Sequence, residues 1–183
     1  MELCVIGASF LFFTVGSQFA DGELSRLQEL FEMLDEKLAE IESRIEESAD
    51  PDLDGLCDQG EYLIGLGFVA IQQYLVETIM LTGLSKSEAY ELGPKHPSGA
   101  TCVGLINACA NWWKHEPEWF DAGAVPNNGL KSFDLVTEVT DSPSYQLSNV
   151  LASFCEDGEK VGFSCVVAQL KEWRSNVHEN RKK

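Results

Sequence analysis

The chain has 183 residues, of which 44% are hydrophobic and 23% charged, and its formal net charge is −17 at pH 7. This size suits a single domain, and this composition excludes a wholly disordered chain. Strong negative charge repels phosphate backbones, so binding to long nucleic acid would require a locally basic groove. The sequence shows no such groove, which makes RNA a disfavoured partner.

The first twenty residues are apolar, and Leu3 to Ala20 contains no charged residue. A signal peptide begins with a basic region and ends at small residues, whereas this start has no Lys or Arg and cleavage after Ala20 would place Gln18 at a small-residue position. Gly, Ser, Thr and Gln dilute a stretch of minimal length for a membrane span. We expect a buried strand or helix here and no membrane contact; a targeting or membrane role is the alternative.

The negative charge is concentrated between Asp21 and Glu61, which holds fifteen acidic residues and three basic ones. Within it, a heptad-like pattern predicts an amphipathic helix from Glu23 to about Glu47. Its apolar positions are Leu24, Leu27, Phe31, Leu34, Leu38, Ile41 and Ile45. This helix either packs on its own domain or forms a dimer. Its acidic face is a solvated surface, a site for a basic protein partner or a mimic of nucleic acid.

The stretch from Leu56 to Leu81 is apolar on nearly all sides and is typical of the central helix of a bundle. Gly65 and Gly67 would let another element approach this helix closely. A pair of buried strands is the alternative for its first half.

The remaining pattern predicts a connection with at most one short helix, followed by further helices. Ser98 offers an N-cap for a helix from Gly99 to about Glu116 that ends near Pro117. Later helices are expected at Leu130 to Thr140, Ser144 to Cys155 and Gly162 to Val177. We therefore predict an all-α bundle of five to seven helices. Its parts are an apolar segment (1–20), an acidic helix (21–50) and a bundle domain (54–183).

The six cysteines show no short metal-binding spacing, so we expect no metal site and no cofactor. Several lie in apolar runs, where a reduced cysteine behaves as a small hydrophobe. Because a domain of this size has no need of disulfides, we expect reduced cysteines and a cytoplasmic location.

One face of the Gly99 to Glu116 helix carries the candidate site. At about 100° per residue, Asn107, Asn111 and Lys114 stack on one side with His115 beside them, while Trp112 and Trp113 turn to the core. Asparagine is a poor helix former, so its use here indicates hydrogen bonding to a phosphate or to another helix; a solvated face is the simpler alternative. His115 is the candidate for proton transfer, because its ordinary pKa lies near neutrality.

The segment ANWWKHEPEW, from Ala110 to Trp119, resembles a recurring segment of small bacterial helical proteins without an established activity. The stretches EYLIGLGFVAIQQYL and HPSG add to this resemblance, which covers about residues 57 to 119. More distantly, the segment resembles the HEPN superfamily of helical bundles, which includes RNA-cleaving toxins and phage-defence components. The motif of that superfamily is an Arg, often followed by Asn, with a His further along the same helix. Ala110, Asn111 and His115 stand at these three positions.

These observations leave two functional hypotheses. The first is a cytoplasmic, HEPN-like protein that works by interaction, as a toxin-antitoxin or phage-defence component, with a protein partner or a second copy on the acidic helix. The second is a metal-independent ribonuclease in which His115 transfers protons. Because Ala110 replaces the arginine, the charge that holds the phosphate would have to come from Lys114, with Asn111 beside it, or from another chain across a dimer.

Overall fold

A computed structural model describes residues 13–15, 18–121, 123, 125–140 and 144–182. Two short strands, β1 (Phe13–Val15) and β2 (Gln18–Ala20), pair in antiparallel register. The rest of the prediction for Leu3 to Ala20 lies outside the described residues.

Seven α-helices follow these strands in the described part of the chain, as predicted for an all-α bundle. They are α1 (Gly22–Glu47), α2 (Leu56–Met80), α3 (Lys86–Glu91), α4 (Cys102–Asp121), α5 (Asn127–Val139), α6 (Gln146–Ala152) and α7 (Val167–Glu179), with a 3-10 turn (Phe163–Val166) directly before α7.

The apolar residues of α1 are turned into the core of its own domain. Leu24, Leu27, Phe31, Leu34 and Ile41 are all buried, and α1 packs along α2 and the 3-10 turn. The heptad-like pattern is therefore used within the chain, which leaves only the outer face of α1 for a partner.

The central position of α2 confirms the helix predicted from Leu56 to Leu81, and the two-strand alternative is wrong. Two of its glycines are required by close contacts. A Cβ at Gly65 would lie 1.9 Å from the Trp113 ring, and one at Gly67 would lie 2.1 Å from the Phe163 ring. The absence of these two side chains thus lets aromatic rings from α4 and the 3-10 turn rest directly on the α2 backbone.

Three acidic side chains are used inside the fold to bind backbone N–H groups at the starts of helices. Asp21 accepts from Leu24 N at 2.9 Å, Asp35 from Phe163 N at 2.6 Å, and Glu61 from Leu147 N at 2.7 Å. A carboxylate is a favourable partner for the unpaired donors at these ends. Part of the acidic excess between residues 21 and 61 is therefore structural.

Both predicted ends of the α4 helix are wrong. The helix begins after Thr101, whose hydroxyl accepts from Gly104 N at 3.2 Å, while Ser98 contacts His96 instead. It continues through Pro117 to Asp121. Proline removes one helical hydrogen bond, but the buried Trp119 packs edge-on against Trp112 with ring centroids 6.0 Å apart. The packing of Trp119 offsets the loss of the hydrogen bond.

The expectation that the cysteines are reduced is wrong for one pair. Cys155 and Cys165 form a disulfide between the end of α6 and the 3-10 turn. Cys57, Cys102 and Cys109 are free. The prediction of a cytoplasmic location was based on reduced cysteines, and it stays a prediction.

Candidate functional site

The predicted polar face of α4 is joined to α2 by one glutamine. Gln72 donates from Nε2 to Asn107 Oδ1 at 2.8 Å and to Asn111 Oδ1 at 3.0 Å. Lys114 donates from Nζ to Gln72 Oε1 at 2.7 Å. The three predicted binding residues thus share one partner on a neighbouring helix.

The two asparagines also connect α4 to α3 and α5. Tyr90 donates its hydroxyl hydrogen to Asn107 Oδ1 at 3.2 Å, and Asn111 donates from Nδ2 to Ser132 Oγ at 3.3 Å. An amide both donates and accepts, so a half-buried asparagine can satisfy two neighbouring helices at once. The sequence left three alternatives for this face: binding a phosphate, bonding to another helix, or solvation. The two asparagines bond to other helices.

His115 stands apart from this network. Its Nδ1 lies 3.2 Å from Glu118 Oε2, its ring is stacked on Trp119 with centroids 6.3 Å apart, and its side chain is 46% exposed. Within the described residues, no hydrogen bond joins it to Asn111 or Lys114. The structure therefore brings together Asn107, Asn111 and Lys114, and leaves His115 on the surface beside them.

The buried cysteines of α4 are not suited to act as nucleophiles. Burial raises the pKa of the Cys102 thiol to about 11, and it raises the pKa of the fully buried Cys109 well above its usual range. A thiol reacts as its thiolate, so neither is an activated nucleophile. Among the described residues, no three His, Cys, Asp or Glu side chains are grouped to hold a metal ion.

The outward side of α2 carries exposed apolar residues at helical spacing. Tyr62, Leu66 and Met80 are 58%, 38% and 76% exposed. Their separations place them on one face of the helix, over a length of about 27 Å. We call these three residues the α2 stripe. Exposed apolar residues that share one helix face make this side of α2 a candidate interaction surface.

The exposed side of α1 adjoins the α2 stripe. Arg44 Nη1 lies 3.5 Å from Oε1 of Gln59, an exposed residue of α2 that lies close to Tyr62. On α1, Met33 is 67% exposed and lies on the same side as Arg44 by helical spacing. The side of α1 that borders α2 therefore carries one exposed apolar residue, Met33.

Beyond Met33, exposed glutamates form the outermost face of α1. We call this face the acidic ridge; it consists of Glu29, Glu32, Glu36, Glu40 and Glu47. Of the basic residues on α1, Arg26 pairs with Glu23 and Lys37 pairs with Glu40. Glu40 is thus paired, whereas the other four glutamates of the ridge have no ion pair with a described residue, so the ridge keeps a net negative charge.

A cleft of about 480 Å³ lies between α3, α4 and α5, and sequence reasoning missed it. Lys86, Lys95 and Lys131 line it, and Asn107 forms part of its wall. These lysines come from different elements and have no periodic spacing, so the sequence gives no signal that they meet.

One helix of the described part, α2, is long and apolar enough to cross a membrane, with a mean hydropathy of 1.5 in its most apolar window. Since 56% of that window is buried in the bundle, it also fits the core helix of a bundle.

Comparison with protein-family models, curated proteins and solved structures gave no match. The relationship to HEPN proteins stays a prediction.

Proposed function

We propose that this protein acts through macromolecular interaction, by binding a basic protein partner on the surface formed by the α2 stripe and the acidic ridge. The observation that carries the proposal is the exposure of Tyr62, Leu66 and Met80 on one face of a central helix. Aromatic and Met side chains are enriched in the cores of protein interfaces, where they are desolvated by the partner. The stripe supplies such a core.

The acidic ridge determines which partner fits. Its glutamates border the apolar surface and would form the polar rim of an interface. A basic partner gains association rate and specificity from this complementarity, whereas like charges across an interface are unfavourable. A second copy would bring the same acidic face towards the complex, so we propose a different protein rather than the dimer considered from the sequence.

This proposal narrows the interaction hypothesis drawn from the sequence. That hypothesis placed the partner on the acidic helix, and the present one places it on the outer face of α1 together with α2. A role in a toxin-antitoxin or phage-defence pair is compatible with it, because such components act by binding a partner protein.

The test is a comparison of surface variants in binding. Leu66→Arg disrupts the stripe, and Val161→Arg is a matched control because Val161 is 42% exposed on a loop outside the stripe. Tagged wild-type protein and both variants are used to capture partners from cells of the source organism. Any captured protein is then purified and titrated directly at several salt concentrations.

We expect to find a basic protein that binds the wild type and the control directly. Its binding should weaken as the salt concentration rises, and Leu66→Arg should abolish it. Equal binding by Leu66→Arg and the wild type would contradict the proposal. So would a complex that light scattering identifies as a dimer of this chain.

The ribonuclease alternative is kept because His115 is exposed and has a carboxylate partner, Glu118. Such a pair can orient an imidazole for proton transfer. Purified protein would be incubated with a mixed RNA pool in EDTA, beside His115→Ala. Under the interaction proposal neither sample cleaves RNA; cleavage that the variant loses would favour the ribonuclease.

A further inference from the structure

The cleft between α3, α4 and α5 concentrates positive charge in a strongly negative chain. Three lysines line it, Lys86, Lys95 and Lys131, against a single carboxylate, Glu91. The chain as a whole carries a net charge of −17. The cleft is therefore a local excess of positive charge on an acidic chain.

Internal partners neutralise little of this charge. Lys95 Nζ lies 3.6 Å from Glu91 Oε2, in an exposed pair. Lys86 lies over the Tyr90 ring, 5.2 Å from its centroid, and Lys131 has no ion pair with any described residue. Partial burial, and then the charge of nearby Lys114, lower the pKa of Lys86. Burial and the charge of Lys114 both disfavour the charged form of Lys86, so a bound anion would stabilise that form.

The walls of the cleft offer hydroxyl groups and a small apolar surface. Ser87, Thr101 and Ser132 line it beside the lysines. The Ser132 hydroxyl accepts from Asn111 Nδ2, which leaves its own hydrogen to donate. Ala108 and Leu135 add apolar lining. Hydroxyl and ammonium donors suit phosphate oxygens. The apolar lining suits the uncharged organic part of such a ligand, which we call its uncharged body.

We propose that this cleft binds a small organic phosphate, with its phosphate groups among Lys86, Lys95 and Lys131 and its uncharged body against Ala108 and Leu135. The volume of about 480 Å³ suits a small molecule. The acidic remainder of the chain repels a long polyanion, which favours a compact ligand over nucleic acid. This site is independent of the partner surface on α1 and α2.

The test uses two phosphate probes and one neutral probe in isothermal titration calorimetry at low salt. Inorganic pyrophosphate reports on the charged part of the site, ADP on an organic phosphate, and adenosine on the uncharged body alone. The variants are Lys86→Gln and Lys131→Gln. Lys171→Gln is the matched control, because Lys171 is an exposed lysine of α7 that does not line the cleft.

We expect pyrophosphate to bind, ADP to bind more tightly than pyrophosphate, and adenosine not to bind. Each cleft variant should weaken both phosphate probes about fivefold, the factor for losing one unit-charge contact at about 4 Å in water. The control should bind as the wild type does. Circular dichroism checks that every variant is folded.

Three results would overturn the proposal. The first is the failure of both phosphate probes to bind the folded wild type. The second is equal weakening by Lys171→Gln, which would assign binding to net charge rather than to the cleft. The third is ADP binding no tighter than pyrophosphate, which would leave the uncharged body without a role.

Discussion

Replacing Gln72 by alanine tests whether the asparagine face is a junction between helices. The side chain of Gln72 makes three hydrogen bonds, to Asn107, Asn111 and Lys114. Asn107 Oδ1 keeps the Tyr90 hydroxyl as a donor, whereas Asn111 Oδ1 loses its only donor among the described residues. A net hydrogen bond contributes about 1 kcal/mol, and an unsatisfied buried acceptor costs about 1–3 kcal/mol.

We therefore expect Gln72→Ala to lower the free energy of unfolding by about 2–3 kcal/mol, with the exposed bond to Lys114 contributing little. In a chain of this size that corresponds to a fall of roughly 4–12 °C in Tm. The matched control is Gln73→Ala, which removes an exposed bond to Glu77 on the same helix. Thermal and urea unfolding followed by circular dichroism measure both. Equal stability of the two variants would refute the junction.

Three further changes test the fold. Gly67→Ala should lower the free energy of unfolding by about 1–3 kcal/mol, because the added Cβ would overlap the Phe163 ring. Its control is Gly60→Ala, where the added Cβ would meet no atom of another element within 4 Å. Gly60→Ala should raise the free energy of unfolding by up to about 1 kcal/mol. Cys155→Ser should lower it by about 2–3 kcal/mol through loss of the short disulfide loop. Burial lowers the pKa of His96, so the stability that neutral His96 contributes is complete above about pH 6.5 and is lost as pH falls towards its folded pKa. His96→Gln should therefore flatten the dependence of stability on pH below about pH 6.5.

Urea unfolding reports all three changes. Equal stability of Gly67→Ala and Gly60→Ala would contradict the close contact on α2. The disulfide is tested by unfolding the wild-type protein in urea with and without a reductant. The same urea midpoint in both conditions would argue against the bond. An unchanged slope with pH in His96→Gln would show that another group causes the acid sensitivity.

The helices were predictable where one period governs a long segment. In α1 the apolar spacing fixed the helix and its buried side, and in α2 an almost continuous apolar run indicated the centre of the bundle. The ends of α4 were not predictable by local rules. Its extension past Pro117 depends on Trp119 packing against Trp112, a tertiary contact that capping and proline rules do not include.

The sequence predicted which side chains of the candidate site share one helix face, but it did not predict their hydrogen-bond partners. Helical geometry placed Asn107, Asn111 and Lys114 on one side, but their shared partner, Gln72, lies on another helix. The lysine-lined cleft depends in the same way on the positions of α3, α4 and α5. Contacts of this kind arise from the packing of elements, and no local pattern reports them.

The most direct test of the proposed function is site-specific photocrosslinking in living cells of the source organism. A photoreactive amino acid is placed at position 66 in the α2 stripe, and at position 161 in a second strain as the control. The proposal predicts a crosslink from position 66 to a different, basic protein and none to that protein from position 161. A crosslink to a second copy of this chain, or no crosslink that is specific to position 66, would contradict it.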